Sequence, residues 1–163
     1  MYIPFEKMPD ESRVWVYQAD RKLNKAELAF VKEKLEKFCE QWNTHGSLMP
    51  TSFDIRFDQV VILAVDESHL GASGCSIDSS VRVLRGFEQE FGVNLLDQGK
   101  IGILHGEKDL VVSQALGVKS KVAEGVLKAN TTVLNPLVRK KSDLSNNWLI
   151  PAKDSWLNKF FMN

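Results

Sequence analysis

No segment of this sequence is long and apolar enough to cross a bilayer. The longest unbroken apolar run is Val60–Val65, against the roughly 20 residues that a membrane helix needs. The first residues, Met1-Tyr2-Ile3-Pro4-Phe5-Glu6-Lys7, lack the basic stretch followed by an apolar one that marks a secretory leader. The expected location is therefore cytoplasmic. Cysteine is scarce: Cys39 and Cys75 are the only two, and in a reducing compartment they are expected to stay unbridged. Neither sign of charge prevails, with 21 basic residues against 21 acidic, so no overall field would gather nucleic acid or an anionic membrane. The short Arg139-Lys140-Lys141 run has no aromatic interleaving and reads as a solvated helix end or loop. No repeat or low-complexity tract interrupts the chain, and no His/Cys/Asp/Glu spacing matches a known metal site. Neither a metal nor a cofactor is expected.

What is present is an ordinary globular composition, 44% hydrophobic and 26% charged over 163 residues. That length can bury a core without metals or disulfides, so residues 1–163 are expected to form one domain. Val14-Trp15-Val16-Tyr17 is apolar throughout, as in a strand covered on both faces. Asn24-Lys25-Ala26-Glu27 carries the residues of a capping box and should open a helix. Leu28, Val31, Leu35, Phe38 and Trp42 recur at steps of three and four, which places them on one buried stripe with Cys39 at its border. His45-Gly46 follows and reads as helix-end capping.

Phe53, Ile55 and Phe57 alternate with Asp54, Arg56 and Asp58, the period of an edge strand with one wet face. The continuously apolar run Val60–Val65 should lie inside the sheet. A second helix should begin between Ser73 and Ser76 and stop at Gly92. Val93-Asn94-Leu95-Leu96 reads as a fourth strand, followed by a turn at Asp97-Gln98-Gly99-Lys100 and a short apolar run that could pair back.

The order β-α-β-β-α-β predicts an α+β protein with a ferredoxin-like sandwich over residues 12–104 and a C-terminal α/β extension over 105–163 packing on it. The first and third strands are expected adjacent, parallel and interior. Both helices would cover one face of the sheet. The other face needs a second cover, either the extension with Trp148, Trp156, Phe160 and Phe161 or a second copy of the chain in a homodimer.

The loop from Asp66 to Ser80 carries most of the functional signal. It joins an interior strand to a helix start, where backbone N–H groups and the helix dipole favour an anion. Val60–Val65 with Asp66-Glu67 looks like a Walker B strand, and Gly71-Ala72-Ser73-Gly74-Cys75 looks like the opening of a phosphate loop. The phosphate-binding Lys and the magnesium-binding hydroxyl are missing, because Ser76, Ile77 and Asp78 follow. ATP hydrolysis is not expected.

Several runs together resemble a family of uncharacterised proteins from Bacteroidetes bacteria, whose members are often labelled ABC transporter ATPases. They are Ser12-Arg13-Val14-Trp15-Val16-Tyr17-Gln18, Trp42 with His45-Gly46, Val65-Asp66-Glu67, Ser73-Gly74-Cys75-Ser76-Ile77-Asp78 and Ser155-Trp156. The resemblance spans nearly the whole chain and implies family membership without an established activity.

The residues themselves favour a non-catalytic domain that binds a small anion or a protein partner. The ligand residues would be Asp66, Glu67, Ser73, Gly74 and Ser76, with Arg21 brought to the same end of the sheet by the first strand-to-helix loop. The main alternative is a thiol-dependent enzyme with Cys75 as nucleophile at a helix N-terminus and His69 or His45 as its base. A nucleotide-binding protein with degenerate Walker motifs is third.

Overall fold

A computed structural model of the chain describes residues 1–162. It is an α+β arrangement built on antiparallel sheets. Strand β1 (Arg13–Gln18) leads to helix α1 (Lys25–Gln41). Asn24 accepts from the Glu27 amide while the Glu27 carboxylate accepts from the Asn24 amide, both at 2.9 Å, completing the capping box. A hairpin of β2 (Asn43–Thr44) and β3 (Ser47–Leu48) follows, then β4 (Thr51–Arg56), β5 (Val60–Val65) and helix α2 (Gly74–Phe91). The Ser73 side chain caps the start of α2, and Gly92, at φ 65°, ends it in the left-handed conformation.

β1, β5 and β4 form a three-stranded sheet in that order, with β5 in the middle. β5 is buried at every position, as its unbroken apolar run requires.

The order β1-β5-β4, with β5 antiparallel to both neighbours, is that of a split βαβ unit, and two expectations about β1, that it pairs parallel and that it lies in the interior, are corrected. β1 and β5 are adjacent but antiparallel, with Arg13 opposite Val65 and Gln18 opposite Val60. β4 runs in the same direction as β1, because Arg13 and Thr51 both face Val65. The tight turn at Phe57 and Asp58 then reverses the chain, and the strand inserted between two parallel neighbours must oppose both. That turn holds two non-glycine residues at positive φ, 59° and 53°.

The expected fourth strand at 93–96 does not form, so β1 lies at the sheet edge instead of its interior. Its backbone groups go elsewhere. The Glu88 carboxylate accepts from the Leu95 and Leu96 amides, and Asp20 accepts from that of Asn94. A segment whose amides are held by side chains has none left for a ladder.

The chain then builds a second sheet in the order β7-β6-β8-β9 from β6 (Lys100–His105), β7 (Asp109–Gln114), β8 (Thr132–Leu134) and β9 (Leu149–Pro151). The apolar run after Lys100 thus pairs forward, through the His105-Gly106 turn, and not back onto 93–96. Short helices α3 (Val118–Ala123) and α4 (Lys141–Asn146) flank β8.

Alternation along the strands distributes side chains into layers. Tyr17, Val61, Leu63 and Val65 face α1 and α2, where they meet Val31, Leu35, Leu84 and Phe87. Val14, Val60, Ile62 and Ala64 face the other way and are covered by Phe5, Met8, Leu110, Leu134, Leu144 and Trp148. The far side of the second sheet packs Ile101, Ile103 and Val133 against Val118, Leu127, Ala152 and Leu157. The order of layers is helices, sheet, sheet, then α3 and the C-terminal turns.

Candidate functional site

The loop between β5 and α2 is closed upon itself. Asp66 accepts from the Ser68 amide at 2.9 Å, which holds its carboxyl below the usual carboxylate range. Glu67 accepts from the Ala72 amide at 2.8 Å and lies 3.8 Å from the Arg13 guanidinium. Ser73 Oγ accepts from the Ser76 amide, and Ser76 Oγ donates back to the Ser73 carbonyl. The Ser73 amide donates to Thr44 Oγ1, and the Trp42 indole donates to the Ser76 carbonyl at 2.8 Å. The acidic pair that resembles a Walker B end therefore serves its own loop's amides, and Ser73 and Ser76 serve the helix cap.

Gly74 and Cys75 occupy the first turn of α2. Cys75 is exposed and opens on a cavity of about 260 Å³ lined by Phe38, Trp42, Asn43, His45, Ser73 and Ser79. His69 is not on that wall; it is exposed in the loop, beside Asp66. The imidazole sharing the cavity is that of His45, which sits with Gly46 at positive φ in the two-residue turn between β2 and β3. His45-Gly46 is thus a hairpin turn, where sequence reading expects a helix end. Among the described residues no group of three His, Cys, Asp or Glu side chains could hold a metal ion.

Arg21 lies at the opposite end of the sheet from this loop, because the loop leaves β5 at Val65, opposite Arg13. The antiparallel pairing separates what a parallel one would bring together. Arg21 instead grips Glu27 through two 2.8 Å contacts and donates to the Phe91 carbonyl. That pairing draws the Glu27 pKa down to about 2.

A second site has no counterpart in the sequence reading. The edge of β1 that faces away from β5 opens on a cleft of about 250 Å³ between the two sheets. Arg13, Trp15, Gln18, Lys100 and Arg139 line it, together with apolar groups from Val16 and Val138, and no Asp or Glu does. Arg13 lies over the Trp15 ring at 4.5 Å. Arg139 is exposed, and its guanidinium has no ion-pair partner among the described residues.

Lys100 is only 8% exposed. Its ammonium donates to the Gln18 carbonyl and, at 2.9 and 3.0 Å, to the carbonyl and side-chain oxygens of Asn94. Burial pushes its pKa below the usual lysine range against the opposing pull of Asp97, Asp20 and Glu88. The Gln18 side-chain oxygen is buried without a partner and points at Gly102, whose missing Cβ leaves room for it. The signals were faint: Lys100 falls in phase with inward-facing Gly102 and Leu104, and Arg139 belongs to the basic run read as solvated. The lining residues come from four separate stretches of chain, so periodicity could not join them.

No helix among the described residues is long and apolar enough to cross a membrane. Comparison with protein-family models, with curated proteins and with solved structures finds no match, so the chemistry of these two sites carries the functional reading.

Proposed function

We propose that this protein is a non-catalytic binding domain that takes an anionic group in the cleft beside β1. One observation carries the reading: in a chain with equal numbers of acidic and basic residues, Arg13, Lys100 and Arg139 converge on one cleft that no Asp or Glu among the described residues lines. A guanidinium presents a planar fork of donors that matches a carboxylate or a phosphate; that of Arg139 is unpaired among the described residues, and that of Arg13 faces Glu67 only at 3.8 Å. Lys100, with its hydrogens already taken by Gln18 and Asn94, contributes positive potential and a fixed floor. Trp15 and Val138 supply the apolar wall that partly desolvates a bound anion and strengthens its attraction to the cations.

The test is thermal unfolding in rising acetate or phosphate, with chloride replaced to hold ionic strength constant. A ligand that binds only the folded state raises the melting temperature with its concentration. The shift is expected for the native protein and should vanish in Arg13→Gln/Arg139→Gln. A melting temperature indifferent to both anions overturns the reading.

A further inference from the structure

The open edge of β1 is bounded at both ends. Residues 12, 14, 16 and 18 direct their backbone groups away from β5, as the 2.9 Å bond from the Val14 amide to the Arg139 carbonyl shows. At one end, that bond and the donation from the Lys141 amide to the Ser12 carbonyl close the edge. At the other, the Lys100 ammonium takes the Gln18 carbonyl and the Asp20 amide donates to Asn94. Between these plugs, the Val14 carbonyl, both Val16 backbone groups and the Gln18 amide have no partner among the described residues. All of these residues line the cleft. The free stretch is about 13 Å long at the usual strand rise.

We propose that this stretch binds the C-terminal tail of a partner polypeptide by strand addition, with the tail's carboxylate held between Arg13 and Arg139. The inference rests on the anion-binding reading and names the ligand class of that same cleft. Unpaired backbone donors and acceptors in alternation are what an extended peptide satisfies. The stretch accommodates about four residues of such a peptide at about 3.3 Å each, and the plugs stop a longer strand from running through. A chain end therefore fits where a chain middle does not. Both flexible guanidinia lie at the Val14 end, so the carboxylate belongs there and the tail runs antiparallel to β1. Its preceding residues leave towards exposed Gln98.

The probe is a pool of acetyl-capped tripeptides randomised at every position, with free carboxylates, titrated into the full chain and followed by amide hydrogen exchange. In the free protein the Val16 amide is expected to exchange faster than those of Trp15 and Tyr17, which face β5. The pool should slow Val16 and Gln18 selectively. The same pool as carboxamides should bind about tenfold more weakly, the loss expected for one charge-assisted contact. Arg139→Gln, on an exposed side chain that the fold does not use, should have the same effect.

If acetate stabilises the protein but the peptides leave Val16 exchange unchanged, the strand-addition proposal fails while the anion cleft stands. Equal binding of carboxylate and carboxamide pools also overturns the proposal. No response to acetate, phosphate or peptides removes both.

Discussion

The loop after β5 and the cleft beside β1 both gather polar side chains near the Arg13 end of the first sheet, yet they treat them in opposite ways. In the loop, Asp66, Glu67, Ser73 and Ser76 each accept from a nearby amide or bond to one another. In the cleft, the Arg139 guanidinium, the Gln18 carboxamide oxygen and the Val16 backbone have no partner among the described residues. A motif-like run of residues marks a site only when its donors and acceptors remain available after the chain has folded. The loop looks like a site in sequence, yet its polar side chains bond within it; the cleft is silent in sequence, yet its Arg139 guanidinium is unpaired among the described residues.

Four measurements sharpen or break this contrast. The largest difference should appear between the thiols. Cys75 is expected to alkylate in the folded protein, whereas fully buried Cys39 should react only on unfolding, read by mass spectrometry across a urea series. Burial pushes the Cys39 pKa up to about 12. The folded state therefore keeps a proton that the unfolded chain releases once the ordinary thiol range is passed. Stability should fall as pH rises from about 9 towards 12, and Cys39→Ala should flatten that decline. Alkylation of Cys39 at the same rate as Cys75 in native buffer would contradict the packing.

Next in size, Lys100→Met should destabilise the protein by about 3 kcal/mol, because it strands buried oxygens of Gln18 and Asn94. The urea midpoint reads the change, and an unaltered midpoint would mean that the ammonium does not hold the cleft floor. Ser73→Ala, which removes the cap of α2, should cost about 1 kcal/mol and leave anion binding unchanged. Lost anion stabilisation in that variant would return function to the loop. Smallest of all, Arg139→Gln should move stability by less than about 0.5 kcal/mol while removing most of the acetate effect. A large destabilisation would make Arg139 a structural residue.

The parts of the fold legible in sequence are those fixed within a few residues. The Asn24 to Glu27 capping box, Ser73 and Gly92 at the ends of α2, and the unbroken apolar β5 all stand where local chemistry predicts. The direction of β1 relative to β5 is not local. It follows from the hairpin at Phe57 and Asp58, which the short gap implies even without favoured turn residues, together with the placing of β5 between β1 and a parallel β4. The fate of residues 93–96 depends on Glu88, Asp20 and Lys100, and the last two lie outside the segment's own helix and apolar pattern. For the candidate site, Cys75 at a helix start was readable, but its cavity-mate is His45 and not His69, a distinction made by the β2–β3 hairpin. The cleft was unreadable because each lining residue has an ordinary local role: strand, turn or charged run.

The plugs at the two ends of β1 have a consequence for the protein in a crowded solution. A bare edge strand can template the sheet of a neighbouring molecule, and long, flat, apolar edges are the usual start of aggregation. Here an apolar strand is exposed along its edge over only about 13 Å, shorter than a typical strand. Its mouth carries repelling positive charge against any second copy of itself. The lysine that stands where the fourth strand was expected thus also blunts the edge, by occupying the Gln18 carbonyl that a neighbouring strand would need.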